Sequence, residues 1–180
     1  MISLKKDYPD CMREQLGDRL PKFSDADFAI LNAADTHFYG MNYYTSQYAR
    51  HRDSPASEAD YVGNMDELSE NKEGVFVGEQ SGIHWLRSCP DMFRKHLARV
   101  YGLYGKPIYI TENGCPCPGE DKMSSEEAFE DPFRIRYFEK HLDAIRQAIS
   151  EDGAVVSGYF AWALMDNLGT YTSQISPGSS

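Results

Sequence analysis

The sequence has few cysteines, few basic side chains and no long apolar run. Four cysteines are spread over 180 residues and no Asn-x-Ser/Thr acceptor occurs, so neither a disulfide-rich scaffold nor a glycoprotein is indicated. No segment approaches the roughly 20 apolar residues that cross a bilayer. The first six residues, Met-Ile-Ser-Leu-Lys-Lys, also lack the apolar core of a secretory signal. We therefore expect a cytoplasmic protein with no membrane partner.

The charge balance narrows the range of partners. Eighteen Lys and Arg against 28 Asp and Glu give a net charge of -10 at pH 7 and a pI near 4.9, which disfavours contact with the phosphates of nucleic acids. Cys115 and Cys117 form a Cys-x-Cys pair, but no second Cys or His pair lies at zinc-ligand spacing. We expect no nucleic-acid partner, no metal site and no cofactor.

Apolar periodicity predicts three helices. Ser24 and Asp27 have the spacing of a helix N-cap before "DFAILNAA". The second helix is marked by apolar residues at helical spacing and ends at Gly105: Phe93, Leu97, Val100, Tyr101 and Tyr104. The third begins at Asp131 and Pro132 and ends before Gly153. Its predicted core-facing stripe consists of Ile135, Phe138, Leu142, Ile145 and Ile149.

Short apolar runs between these helices predict strands. They are "THFYGMNYYT" (residues 36–45), "PIYI" (107–110) and "AVVSGYFAWAL" (154–164). Residues 51–82 are polar and weakly periodic, and we interpret them as a long surface loop. Because strands and amphipathic helices alternate, the sequence predicts an α/β fold with parallel strands.

Polar residues follow the predicted strands at the end where such folds bind ligands. Glu112 follows "IYI" after one residue, and Asn42 and Tyr44 lie within three residues of the end of "FYGM". Trp162 lies near the end of the last strand. The pattern therefore predicts a polar rim at one edge of the sheet, with a carboxylate held on a rigid element.

Simpler interpretations of the same residues remain open. Glu112 could cap a loop or pair with Lys106. Asn113 and Gly114 form an ordinary turn dipeptide. Three aromatic residues could serve only as core side chains: Tyr43, Tyr44 and Trp162. On composition alone the rim could bind a carbohydrate or another small molecule.

Four segments resemble one enzyme family, in the same order along the chain. "DYPDCMREQLGDRLPKFS", "FYGMNYYTS", "IYITENG" and "YFAWALMDN" look like parts of the retaining β-glucosidases of glycoside hydrolase family 1. The run over residues 110–149 is similar to the fungal intracellular branch. The resemblance covers roughly residues 7–168. It implies hydrolysis of terminal β-D-glucosyl residues from a small β-glucoside or cello-oligosaccharide.

The resemblance also implies roles for individual residues. Glu112 matches the catalytic nucleophile, and Tyr44 matches the tyrosine that orients it. Asn42 matches a residue of the glycone site, and Trp162 matches the platform beneath the sugar ring.

The resemblance is limited to part of a barrel. It implies a partial (β/α)8 TIM barrel over residues 1–168, equivalent to the last three βα units, followed by a divergent tail over 169–180. In the family the acid/base glutamate lies in Thr-x-Asn-Glu-Pro, and no Asn-Glu-Pro occurs in this sequence. We therefore expect the isolated chain to be inactive. The alternatives are a non-catalytic truncated product that binds sugar weakly, or half of a split enzyme completed by a separate N-terminal piece.

Overall fold

A computed structural model describes residues 7–34, 36–53, 65–163 and 165, and all three predicted helices are present in it. A capping box between Ser24 and Asp27 begins the first of them, and Gly105 ends the second in a left-handed conformation at φ 60°. The helices of the described part are α1 (Asp10–Leu16), α2 (Asp25–Ala33), α3 (Pro90–Tyr104), α4 (Ser125–Glu130) and α5 (Pro132–Ser150). The carboxylate of Asp131 caps α5 by accepting a hydrogen bond from the Arg134 peptide N–H, at 3.0 Å.

The strands confirm the α/β class. They are β1 (Tyr39–Asn42), β2 (Tyr48–His51), β3 (Met65–Leu68), β4 (Glu79–Gln80), β5 (Arg87–Ser88), β6 (Ile108–Asn113) and β7 (Val156–Ala161). The central sheet has the order β1-β6-β7, and both of its pairings are parallel. All three strands therefore end at the same edge.

In the part of the chain that the structure describes, helices cover one face of this sheet. Ile108 and Ile110 of β6 point into a core completed by α3 and α5, and neither side chain is exposed. The opposite face carries aromatic side chains. Phe38 and Phe160 are 52% and 59% exposed, and the Phe38 ring packs edge-on against Tyr109 with centroids 5.1 Å apart. Because parallel sheets in proteins are normally covered on both faces, this second face is an unusual surface. We call it the open face.

The predicted apolar stripe of α5 was wrong at three of its five positions. Ile135, Leu142 and Ile149 are 46–53% exposed, whereas Ile145 is buried and Phe138 is partly buried. The buried face is rotated toward smaller and more polar residues: Phe133, Tyr137, His141, Ala144, Ile145 and Ala148. Alanines at 144 and 148 allow α5 to approach α3 and the sheet closely, so the largest aliphatic side chains lie outside the contact.

The prediction of one surface loop over residues 51–82 was also wrong for much of its described part. β2 pairs with β3 in an antiparallel ribbon, and Glu70 bridges Phe76. β4 pairs with β5 just after it. These strands are short and mostly polar, so they lack the apolar alternation by which strands are recognised. Residues 54–64 lie outside the described residues.

The exposure of the α5 stripe leads to a stability prediction. We expect Leu97→Ala to lower the free energy of unfolding by about 2–5 kcal/mol, because this fully buried side chain leaves a cavity in the core. The matched change Leu142→Ala should cost less than about 1 kcal/mol, since that side chain is 47% exposed on its helix. Urea denaturation of both variants measures the difference. Equal losses would mean that Leu142 is buried in solution.

Candidate functional site

Glu112 and Tyr44 are in direct contact at the carboxyl edge of the sheet. The Tyr44 hydroxyl donates a short hydrogen bond to the Glu112 carboxylate. Partial burial and the neighbouring carboxylate both raise the pKa of Tyr44, so the phenol remains a proton donor at neutral pH. Lys106 precedes the start of β6 and lies six residues from Glu112, about 20 Å along an extended chain. The alternative of a Lys106 ion pair is therefore excluded.

A bulge directs the Glu112 side chain toward this edge. β6 was predicted to end at Ile110, but it continues to Asn113. Met41 is the partner of Ile110 and Asn42 is the partner of Glu112, so Thr111 is an extra residue relative to β1. Relative to β7 there is again one extra residue between Ile110 and Asn113. Bulges are rare in parallel pairs and occur often next to active sites, where they redirect a side chain.

Asn42 lies opposite Glu112 in this register and is exposed. The Thr111 hydroxyl donates to the Asn42 side-chain oxygen over 2.5 Å. The Asn42 amide nitrogen is therefore on the side of the carboxamide that faces away from Thr111. Glu112, Tyr44 and Asn42 are thus brought together at one rim.

Trp162 joins the rim through its main chain. Its peptide N–H donates to the Asn113 carbonyl over 2.8 Å, and 46% of the residue is exposed. Gly114 makes this approach possible, because a Cβ at that position would lie 1.8 Å from the Trp162 carbonyl oxygen. The indole ring is accessible at the end of β7. Leu164 and residues 166–180, which include the predicted divergent tail, lie outside the described residues.

Asn113 has a structural role that the turn interpretation missed. Its side chain is fully buried and makes hydrogen bonds to three chain segments. The amide donates to the Tyr43 carbonyl at 2.8 Å and to the Tyr137 hydroxyl at 2.9 Å, and its oxygen accepts from the Tyr159 hydroxyl at 2.8 Å. The Tyr137 oxygen also lies 3.4 Å from the Tyr44 carbonyl. We call these residues the Asn113 network.

The sequence contains one signal of this network. Tyr137 is next to Phe138 of the predicted stripe and Tyr159 lies in a predicted strand, and a phenol buried at either position requires a hydrogen-bond partner. An asparagine at a strand end is a candidate partner. The sequence does not indicate which of its neighbours that asparagine contacts.

A buried histidine lies beneath the network. The His141 ring stacks on Tyr137 with centroids 3.9 Å apart, and Nδ1 donates to the Tyr137 carbonyl over 2.8 Å. Nε2 has no hydrogen-bond partner among the residues that the structure describes. Burial lowers the pKa of His141 to about 4, so the ring is neutral at pH 7.

Ion pairs and a hydrogen bond of Arg134 hold the segment that follows Gly114. Arg134 pairs with Glu120 and Asp131 and donates to the Cys115 carbonyl over 3.1 Å. Burial raises the pKa of the Cys115 thiol to about 12, which makes it a poor nucleophile and metal ligand. All four cysteines are free. Within the described ranges no group of three or more His, Cys, Asp or Glu could hold a metal ion.

A concavity between α3 and α5 is separate from the rim. It has a volume of about 350 Å³ and is lined by α3 and α5 residues, among them Asp91, Arg94 and Gln147, with none from β1, β6 or β7. Arg94 is already paired with Asp152, Glu151 and Gln147. In the described part of the chain, no helix is both long and apolar enough to cross a membrane.

α/β proteins with parallel strands bind their ligands at the carboxyl ends of the strands, where Tyr44 contacts Glu112 in this chain. The chain belongs to glycosyl hydrolase family 1, whose family model matches residues 2–175. It is 37% identical to β-glucosidase 1B of Phanerodontia chrysosporium over 160 residues, 89% of this chain and 29% of that protein. The predicted resemblance to the family and to its fungal members is confirmed.

Solved structures of fungal β-glucosidases superimpose closely. β-Glucosidase 2 of Trichoderma reesei, in complex with Tris, shares 48% identity and gives a TM-score of 0.84 over 89% of this chain and 35% of that one. The Humicola insolens enzyme in complex with glucose gives 42% identity and a TM-score of 0.82 over 87% of this chain and 33% of that one. The chain thus spans about a third of the length of the relatives it matches.

The Asn113 network leads to a prediction about single hydroxyl groups. We expect Tyr159→Phe to lower the free energy of unfolding by about 1–3 kcal/mol, because it leaves the buried Asn113 oxygen without its donor. Tyr109→Phe removes a hydroxyl outside the network and should change stability by less than about 0.5 kcal/mol. Urea denaturation compares the two variants. Similar values for both would contradict the role of the network.

Burial of His141 predicts a stability loss at acidic pH. The folded-state pKa of about 4 lies below the reference value of 6.5. The unfolded chain therefore binds a proton that the folded chain cannot, and stability falls as pH drops from 6.5 toward 4. Between pH 7 and 5 this group should contribute about 2 kcal/mol to the loss.

Two variants isolate this effect. His141→Phe should show a smaller fall in unfolding free energy between pH 7 and 5 than the wild-type chain. His84→Gln, which changes an exposed histidine, should match the wild type. An unchanged pH dependence in His141→Phe would show that His141 can take up a proton in the folded state.

Proposed function

We propose that this chain supplies the nucleophile side of a retaining β-glucosidase site. Glu112 is the nucleophile, Tyr44 orients it, Asn42 contacts the glycone and Trp162 stacks beneath the sugar ring. The observation that carries the proposal is the Tyr44 hydroxyl bound to Glu112 at the carboxyl end of a parallel strand. A carboxylate held by a phenol donor keeps one orientation, as nucleophilic attack requires.

The chemistry is a double displacement. The Glu112 carboxylate attacks the anomeric carbon, and the bond to the leaving oxygen breaks as that oxygen receives a proton from a general acid. Water then attacks the glycosyl ester, losing its proton to the conjugate base of that acid and releasing glucose and free Glu112. The apolar C–H face of a pyranose matches the exposed indole of Trp162.

The general acid is the missing component. The sequence contains no Asn-Glu-Pro, the motif that holds the acid in the family resemblance. Acid assistance typically contributes about 10²- to 10⁴-fold to the rate. The isolated chain is therefore inactive toward unactivated glucosides, in this proposal, while still able to carry out the attack step with a leaving group that needs no proton.

A partial barrel is the architecture that best explains the open face. A (β/α)8 barrel encloses its inner strand faces with eight strands, whereas the described sheet has three, with Phe38 and Phe160 exposed on one side. In the proposal, residues 1–168 are a C-terminal part of such a barrel and residues 169–180 are a divergent tail. The match to about a third of each relative supports this assignment.

The substrate class follows from the relatives. β-Glucosidase is the activity named for the fungal relatives, and the Humicola insolens structure contains glucose. We therefore assign a terminal β-D-glucosyl residue of a small β-glucoside or cello-oligosaccharide as the ligand of this rim. We also propose that the protein is located in the cytoplasm.

Two measurements on the purified chain test this function. We expect no hydrolysis of cellobiose, whose leaving oxygen must be protonated, and slow covalent labelling of Glu112 by 2,4-dinitrophenyl 2-deoxy-2-fluoro-β-glucoside, whose phenolate leaves without a proton. Intact mass and peptide mapping detect the label. Glu112→Gln should abolish labelling, because the amide cannot form the ester. The control Glu139→Gln changes an exposed carboxylate of α5 and should label like the wild type. Turnover by the wild-type chain that is lost in Glu112→Gln would contradict the proposal that the isolated chain is inactive. Labelling of a residue other than Glu112 would contradict its assignment as the nucleophile.

The open face also favours a second candidate, half of a split enzyme. A separate chain carrying the first strands of a family 1 barrel would cover Phe38 and Phe160 and supply the acid. Co-expression with the N-terminal part of a fungal family 1 β-glucosidase should then restore turnover in a Glu112-dependent manner. A mixture that stays inactive, with no complex in size-exclusion chromatography, would leave the non-catalytic alternative.

A further inference from the structure

The bulge in β6 places an unassigned hydroxyl at the rim. Thr111 is the extra residue relative to β1, and its side chain is exposed on the same side of the strand pair as Asn42. The Thr111 hydroxyl donates to the Asn42 side-chain oxygen over 2.5 Å. Without the extra residue, side chains would alternate along the strand, and Thr111 and Glu112 would point to opposite faces of the sheet.

This hydrogen bond fixes the polarity of the Asn42 carboxamide. A carboxamide has one accepting end and one donating end, and either end could face a ligand. Because the Thr111 hydroxyl donates to the oxygen, the N–H₂ group is the end turned away from Thr111. Asn42 is also the register partner of Glu112, so a ligand bound against that carboxylate lies next to the amide.

We propose that Thr111 is a positioning residue that holds Asn42 with its N–H₂ group toward a hydroxyl oxygen of the bound sugar. This inference rests on the proposed function, since it takes the sugar at Glu112 as the ligand. Thr111 acts only through Asn42 and does not contact the reacting atoms. Its loss therefore weakens binding of the glycone and leaves the attack by Glu112 nearly unchanged.

The labelling reaction separates these two effects. With the 2-fluoroglucoside above, Thr111→Val should raise KI by about 3- to 10-fold, the effect of one lost orienting hydrogen bond, and change kinact by less than about 2-fold. Val keeps the branched shape of Thr but has no hydroxyl. Thr111→Ser keeps the hydroxyl and should restore KI to near the wild-type value.

A double-mutant cycle tests whether Thr111 acts through Asn42. In an Asn42→Ala background, Thr111→Val should have no further effect on KI, because the group that it orients is absent. An equal effect in both backgrounds would overturn the proposal. So would an unchanged KI in Thr111→Val, or a rise in KI that follows a loss of thermal stability and is not rescued by Thr111→Ser.

A spectroscopic readout distinguishes failure of this inference from failure of the proposed function. If the wild-type chain is not labelled at Glu112, the proposed function fails. The ¹H–¹⁵N resonances of the Asn42 side-chain amide then decide the contact itself. Resonances that shift in Thr111→Val and return in Thr111→Ser support the fixed carboxamide, and resonances unchanged by Thr111→Val overturn it.

Discussion

The buried side chain of Asn113 is the constraint on which the rim depends. Its amide group binds the end of β1, helix α5 and strand β7 through three hydrogen bonds of 2.8–2.9 Å. All of these partners are neutral, so the network avoids the desolvation cost of a buried charge, and a fully satisfied buried network favours one arrangement over alternatives. Asn113 also directly follows Glu112, and its carbonyl accepts from the Trp162 peptide. The positions of the carboxylate, of Tyr44 and of the end of β7 are therefore tied to one residue whose side chain is fully buried.

The rim side chains Thr111 and Glu112 are less buried than Asn113, which anchors them. The bulge at Thr111 breaks the alternation of β6, and this lets consecutive residues serve different purposes: Thr111 and Glu112 reach the rim while Asn113 turns into the core. A regular strand would place Thr111 and Asn113 on one face and Glu112 on the other. The bulge leaves one residue of β6 unpaired in the ladder, which is locally unfavourable. The backbone on both sides of it is held by hydrogen bonds to β1 and β7.

The sequence predicts the elements of this fold better than their contacts. The helices have long periodic patterns and clear caps, and α2, α3 and α5 were found for that reason. The burial pattern of α5 was missed because hydrophobicity selects Ile135 and Leu142, whereas close packing selects Ala144 and Ala148. Glu112, Tyr44 and Asn42 could be grouped because parallel strands end at a common edge. The Asn113 network could not be predicted, since its hydrogen bonds join residues up to 93 positions apart and depend on the register of three strands.

One face of the sheet packs into the core, and the other is exposed to solvent. The helix-covered face contains the continuous core of α3, α5 and β6, and the Asn113 network closes that core at the rim. The open face adds Phe38 and Phe160 to the solvent-exposed surface without contributing to that core. A partner that covered the open face would stabilise the folded chain by mass action, yet it would leave the contacts around Glu112 unchanged because these lie within the three strands and α5. The geometry around Glu112 is thus a local property of the three strands and α5, whereas burial of the open face is not.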